Sequence, residues 1–391
     1  MAQAFKLCAF PGDPGELAHR STPIELTNLL AAHIVFSGVQ GFFQANLGPG
    51  RTSKPFGAKD SIMTNRHLNP VRCASFLVAL AILVPFVAPA ARAQSLSDST
   101  LTLFPPEAGE LAFADLHTLR QSPHYKIIHD SYFPPQVRQL ESQALALGVD
   151  YEAQAQQLSW ANLATPSGGF ELISITEGNF VPSTVADRAR ALRLPSSEVA
   201  GKTVFGMGQN AEGLAFALAF IDPSKLIFGA RDQVEALLTR ASTGAPGFLQ
   251  NQVLSPLVLE VNGRGSIWAV MDQRFAALEV RNIAPDAANR PEAQTLFNNL
   301  RAAVARASLG SDLSSSASFL CTDATQASLL AAVAQAGFAL YATGAANQNP
   351  DMAAALHAAV VQQQGDRVEL TLSLTQSQIS MLLAHSLPTT R

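Results

Sequence analysis

Residues 203–229 read TVFGMGQNAEGLAFALAFIDPSKLIFG. Three apolar runs of strand length, TVFGM, LAFALAFID and KLIFG, follow one another here with short polar breaks between them. A helical pattern, DQVEALLTRAS at 232–242, closes the unit. Adjacent strands followed by a helix are typical of antiparallel or mixed sheets, so this stretch indicates an α+β fold.

Before and after this unit, the sequence of residues 94–391 predicts both strands and helices. The pattern predicts strands at 110–116, 170–178, 266–272, 306–311, 316–323 and 366–374. It predicts helices at 124–133, 136–163, 184–194, 291–305 and 324–344, with a last helix that starts at a Thr375/Gln378 capping box. We therefore expect an α+β fold with mixed or antiparallel sheets and helices on one face.

Two segments of the chain open alike. ELAFADLHTLR (110–120) and SIWAVMDQRF (266–275) each place an apolar strand that ends in aspartate before an arginine-bearing segment. Two related α+β lobes, 94–250 and 251–391, would explain this likeness, and coincidence is the alternative.

A separate apolar run, CASFLVALAILVPFVAPAARA, lies at residues 73–93. Basic residues precede it, and Ala91 and Ala93 form a small-x-small cleavage motif at its end, as in secretory signals. We predict a signal peptide at 63–93 that is cleaved after Ala93, which makes the protein periplasmic or secreted. The mature chain would begin with a short polar tail at Gln94.

The position of this signal suggests how the chain starts. Met63 opens a normal signal sequence, so residues 1–62 are interpreted as a non-native and mostly disordered extension. Without cleavage, the same apolar run is long enough to anchor a single-pass membrane protein, which is the alternative.

The net charge of the chain disfavours some classes of binding partner. Residues 94–391 carry 18 lysine plus arginine and 26 aspartate plus glutamate, a net charge of −8, whereas residues 1–93 carry 8 and 4, a net charge of +4. An acidic chain is poorly suited to bind phosphate backbones or anionic lipid surfaces. We expect no nucleic-acid partner, and membrane contact only through an uncleaved signal.

Some segments resemble a known group of proteins. LAFADL (111–116), FELISITEGNF (170–180) and LIFGARDQVEALL (226–238) resemble exported bacterial α+β proteins of unknown function. The likeness covers most of residues 105–385. Because no catalytic motif is assigned in such proteins, the resemblance implies no site residues.

Several partial motifs have ordinary structural interpretations. Gly206, Gly208 and Ala211 fit a dinucleotide fingerprint, but an apolar strand follows them instead of a helix, which indicates a hairpin. Cys321 lies in an apolar alternating stretch and is predicted to be a buried small side chain, not a nucleophile. We therefore predict no cofactor.

Two groups of candidate site residues stand out. Asp115 and Asp272 end the two similar strands, so with His117 and His124 they could form the acid and base groups of a hydrolase. As the ordinary alternative, both aspartates cap helices.

His124, His129 and Asp130 are the candidate metal ligands, although their spacing does not match that of common zinc motifs. With no complete catalytic motif present, we expect a non-enzymatic protein that binds a protein or small-molecule partner. The hydrolase is the alternative.

Overall fold

The computed structural model describes residues 94–132, 135–165, 170–209, 215–283, 291–346 and 350–386. The predicted extension at 1–62 and the predicted signal at 63–93 lie outside these residues. The described strands are β1 Glu110–Asp115, β2 Ala155–Ala164, β3 Phe170–Gly178, β4 Ser196–Val199, β5 Lys202–Gln209, β6 Ala215–Asp222, β7 Lys225–Ala230, β8 Ile267–Asp272, β9 Leu300–Leu309, β10 Leu313–Cys321, β11 Val360–Gln364 and β12 Arg367–Leu374.

The helices lie between groups of these strands along the chain. They are α1 Asp98–Leu101, α2 Leu116–Arg120, α3 Tyr125–Tyr132, α4 Pro135–Ala146, α5 Tyr151–Gln154, α6 Pro182–Ala191, α7 Arg231–Thr243, α8 Ser255–Val261, α9 Gln273–Ile283, α10 Pro291–Asn298, α11 Ala324–Ala345, α12 Pro350–His357 and α13 Gln376–Ser386. A short 3-10 helix, Phe248–Gln250, precedes α8. The α+β class predicted from the sequence is confirmed.

All twelve strands belong to one sheet, in the order β11-β12-β10-β9-β8-β1-β2-β3-β7-β6-β5-β4. Every neighbouring pair in it is antiparallel. The three apolar runs of 203–229 form β5, β6 and β7, as predicted. Strand β1 lies near the middle, with β2 on one side and β8 on the other, so the first strand of the sheet is among its most enclosed.

Helices cover both faces of this sheet, so the expectation of helices on one face was wrong. Successive side chains of a strand point to opposite faces. Phe113 of β1 packs in a core with Val234 of α7. Its neighbour Ala112 packs in the other core, with Phe275 of α9 and Ala327 of α11. A strand buried on both faces loses its alternating pattern, which is why the sequence did not reveal the second helix layer.

Strands β9, β10 and β12 carry polar side chains on the face of the sheet that α7 covers elsewhere. Arg306 of β9 pairs across the sheet with Trp268, whose ring packs in the α7 core. The Arg306 Nε donates to Ser316 Oγ of β10 at 2.6 Å, and its Nη2 lies 3.3 Å from Glu369 Oε1 of β12. These side chains satisfy one another's charges and hydrogen bonds, as expected where an antiparallel sheet turns a face to water.

The helix predicted at 136–163 was wrong in its second half. Helix α4 ends at Ala146, Gly148 follows with φ of +87°, and Asp150 caps the short α5. Strand β2 then occupies 155–164 between β1 and β3. Both faces of its centre are buried, as Trp160 and Ala161 show, so the alternation that marks a half-buried strand is missing.

The helix predicted at 291–305 was wrong for a related reason. Helix α10 ends at Asn298, and β9 begins at Leu300. The alanines of β9 favour a helix in isolation. In the fold, however, β9 lies between β8 and β10 and buries residues 302–305 on both faces. Tertiary packing overrides the local propensity here.

The predicted polar tail at Gln94 is instead anchored to the fold. Leu96 is buried, and Asn262 brackets it with two hydrogen bonds of 2.8 Å, one from the Leu96 N–H and one to its carbonyl. The Gln94 N–H donates to Asp115 Oδ2 at 3.1 Å. The described chain therefore begins with a docked segment.

Candidate functional site

Asp115 and Asp272 lie at opposite ends of the β1–β8 pair. The Asp115 N–H donates to the Ser266 carbonyl, whereas the Asp272 N–H donates to the Gly109 carbonyl. The two positions are six residues apart along the ladder, about 20 Å at 3.3 Å per residue. This separation excludes direct proton exchange between the two carboxyl groups.

Both aspartates are helix caps, as the alternative interpretation had it. Asp115 is fully buried and accepts from the Thr118 N–H at 3.0 Å and from the Thr118 hydroxyl at 2.6 Å. Asp272 accepts from the Phe275 N–H at 3.0 Å. Burial raises the pKa of the Asp272 carboxyl, and the two backbone N–H donors, of Phe275 and Arg274, oppose that rise.

The two candidate catalytic histidines bind other partners. His117 is exposed, and its Nε2 lies 3.0 Å from the Gln121 side-chain amide. His124 is buried, with its Nε2 3.1 Å from the Ser311 carbonyl in the turn between β9 and β10. The structure thus gives each of the four residues a local partner and does not assemble the hydrolase site.

The candidate metal ligands His124 and His129 have different partners. His124 is fixed to Ser311, and the Asp130 side chain lies outside the described residues. His129 instead lies close to two glutamates that no sequence pattern singles out, Glu141 of α4 and Glu152 of α5. They lie 12 and 23 positions further along the chain. Only the folding of α4 and α5 around α3 brings them together.

The partial motifs are structural, as predicted. Gly206 and Gly208 lie within β5, which pairs with β6 as an antiparallel hairpin, so strands flank the position where a dinucleotide site needs a helix. Cys321 is buried. Burial, followed by the charges of Asp366 and Asp323, raises the pKa of its thiol and disfavours a nucleophilic role.

A carboxyl group missed by the sequence analysis is buried at the start of β1. Glu110 is 1% exposed and accepts from Asn162 Nδ2 at 2.9 Å. Burial raises its pKa from 4.5 to about 7, against the Asn162 hydrogen bond, and the charge of Asp272 adds to the rise. Sequence alone could not identify it, because a glutamate that opens a strand is ordinarily at the surface.

Helix α11 carries an exposed apolar surface. Its 22 residues include no lysine, arginine, aspartate or glutamate. Ala327 and Ala331 face the core, whereas Leu329 and Val333 are each 49% exposed. These two are one helical turn apart and lie on one side of the helix. With the exposed Ala332 and Ala336 they form a surface that we call the α11 face.

Comparison of the chain with models of protein families, with curated proteins and with solved structures finds no match. Among the described residues, no helix combines the length and the apolar character needed to cross a membrane.

Proposed function

We propose that this chain is an exported, non-enzymatic protein that binds a protein partner through the α11 face. The observation that carries the proposal is a 22-residue helix without a charged side chain, on which Leu329 and Val333 stay half exposed. Large exposed apolar side chains that are neighbours on an otherwise uncharged helix cost free energy in water, and a partner that covers them recovers it.

The shape of the α11 face favours a helical mode of recognition. Leu329 and Val333 are spaced as the anchors of a helix that lies in an apolar groove. The small side chains of Ala332 and Ala336 beside them let a partner backbone approach closely. A groove or helix with apolar side chains at matching spacing is therefore the complementary surface.

Charge favours a protein over the other macromolecules. Helices that lie on membranes combine an apolar face with a polar face rich in lysine and arginine, and α11 has neither residue. Nucleic-acid binding requires cations against phosphates, whereas residues 94–391 carry a net charge of −8.

The proposed export has support from the structure around Gln94. Cleavage after Ala93 would turn the Gln94 N–H into an amino group 3.1 Å from the buried Asp115 carboxylate. That group would be paired with an opposite charge as soon as it formed. We also propose that residues 94–250 and 251–391 are two related lobes, since β1-β2-β3-β7 and β8-β9-β10-β12 run outward from the sheet centre with corresponding positions.

Site-specific photo-crosslinking tests the binding function. A photoreactive residue replaces Ala332, and after irradiation in the native host one discrete crosslinked product is expected. Leu329→Asp combined with Val333→Asp should abolish it, whereas Leu192→Asp, on an exposed leucine just after helix α6, should not. N-terminal sequencing of the recovered protein should give Gln94.

The same experiment can overturn the proposal. If Ala332 gives no product, or if the product survives the double substitution, the α11 face is not a docking surface. A product with twice the mass of the chain identifies the partner as a second copy. A recovered chain that retains residues upstream of Gln94 would contradict cleavage.

A further inference from the structure

One imidazole and two carboxylates come together at His129, Glu141 and Glu152. Among the described residues, they are the one group of three such side chains whose ligand atoms all lie within 4.8 Å of one another. We propose that these three residues bind one divalent transition-metal ion of the Zn²⁺ type.

The two separations from His129 are close to those of tetrahedral coordination. His129 Nε2 lies 3.1 Å from Glu141 Oε2 and 3.6 Å from Glu152 Oε1. Two ligands that are each 2.1 Å from a tetrahedral zinc are about 3.4 Å apart. The observed distances lie on either side of this value, so an ion can replace the proton between the imidazole and the carboxylates with small side-chain movements.

Neighbouring groups hold Glu152 in position. The Tyr125 hydroxyl donates to Glu152 Oε1 at 2.9 Å. Arg120 places its Nε 3.4 Å from Glu152 Oε2, while its two terminal nitrogens donate to the carbonyls of Tyr151 and Ala155. Arg120 thus fixes the short helix α5 that carries Glu152. Such outer contacts orient the ligands of metal sites.

The two carboxylates of this group favour a cation. The carboxylates of Glu141 and Glu152 contribute two negative charges, which a divalent ion neutralises. Arg120 already offsets part of the Glu152 charge, but only Oε2 faces it, and Oε1 faces His129. Both oxygens of Glu141, at 3.2 and 3.1 Å, and Oε1 of Glu152, at 3.6 Å, therefore lie near the imidazole nitrogen.

The exposure of the site and the chemistry of its ligands indicate which metal ion it binds. The Glu152 side chain is 52% exposed, so an ion and a completing water molecule can reach the site from that side. One imidazole nitrogen with two carboxylate oxygens suits zinc and its first-row neighbours, whereas magnesium and calcium prefer oxygen ligands throughout. We therefore expect Zn²⁺ to bind and Mg²⁺ not to compete at equal concentration.

Calorimetric titration of the full, chelator-stripped chain with ZnCl₂ tests this site. We expect one Zn²⁺ per chain and a higher melting temperature with zinc than with Mg²⁺. His129→Gln and Glu141→Gln should each weaken binding by roughly 100-fold or more, since removing a ligand should cost at least as much as removing an outer-shell partner. His117→Gln serves as the control, because His117 is exposed and contacts Gln121.

A second variant keeps the test decisive if a ligand substitution unfolds the chain. Glu152→Gln changes a half-exposed side chain and should fold, as circular dichroism would verify, yet bind zinc at least tenfold more weakly. The proposal fails if wild type shows no zinc-dependent heat, or if His117→Gln weakens binding as much as His129→Gln does.

Discussion

At the scale of single residues, the carboxyl of Glu110 is an unusual group among those that the structure describes. It lies inside the molecule at the start of β1, and it makes its hydrogen bond to Asn162 while Asp272 stands nearby. Desolvation opposes its ionisation, so the folded protein holds the proton up to about pH 7. In the unfolded chain the same group would release it near pH 4.5.

We expect Glu110 to make stability fall as pH rises. Below pH 4.5 the group is protonated in both states and has no effect. Between pH 4.5 and about 7 only the unfolded chain ionises, so the free energy of unfolding declines, by about 3 kcal/mol in total. Glu110→Gln should remove this decline in urea titrations from pH 4 to 8.

Glu107→Gln, at an exposed glutamate three positions away, is the matched control for that measurement. It should leave the decline in place. Equal pH profiles for Glu110→Gln and wild type would show that Glu110 is not desolvated as described.

At the scale of helices and strands, two glycines predict opposite effects of the same substitution. A Cβ on Gly229 of β7 would lie 2.3 Å from the Leu172 carbonyl oxygen of β3, where the sheet backbone cannot move aside. Gly337 of α11 has no atom within 4 Å of its Cβ position, excluding the backbone of its own helix. Gly229→Ala should therefore destabilise by about 3 kcal/mol, and Gly337→Ala should stabilise by up to about 1 kcal/mol.

Thermal or urea unfolding of the two alanine variants measures both values. If Gly229→Ala is as stable as wild type, β3 and β7 do not approach as closely as described. If Gly337→Ala is destabilising, a neighbouring group packs closely against Gly337, and there is no open space for the added methyl group.

The elements predicted correctly from the sequence are those whose signals are local. Thr375 and Gln378 form the predicted capping box, with the Thr375 N–H donating to Gln378 Oε1 at 2.8 Å. Strand β2 and the start of β9 were mistaken for helix because strands buried on both faces do not alternate. His129 lies close to Glu141 and Glu152 only because their helices pack together. No pattern in the sequence predicts this packing.

At the scale of the whole molecule, the two halves of the sheet share one core. Phe113 of β1 stacks on Trp268 of β8 with ring centroids 5.6 Å apart, and the same core includes Val234 from α7 and Val304 from β9. Trp160 lies in the core on the other face. Because this hydrophobic core contains side chains from both sides of the β1–β8 pair, the stabilities of the two proposed lobes are coupled.

We therefore expect both halves to unfold in one transition. The chain has two tryptophans, and both are fully buried, one on each face of the sheet. Trp160→Phe and Trp268→Phe each leave a single fluorescent reporter. For each variant, urea midpoints from fluorescence and from far-ultraviolet circular dichroism should coincide.

Different midpoints from the two probes would contradict this coupling. Comparison within each variant separates that outcome from the destabilisation that either substitution causes by itself, because a loss of stability moves both probes together.

The central place of β1 also has a consequence for synthesis. β1 is made early, but its partner β8 follows about 150 residues later, a delay of roughly eight to thirty seconds at 5–20 residues per second. During that time one edge of β1 has no strand to bind. The strand best protected in the finished protein is thus among those exposed longest on the nascent chain, where a chaperone or the export machinery has its best opportunity to act.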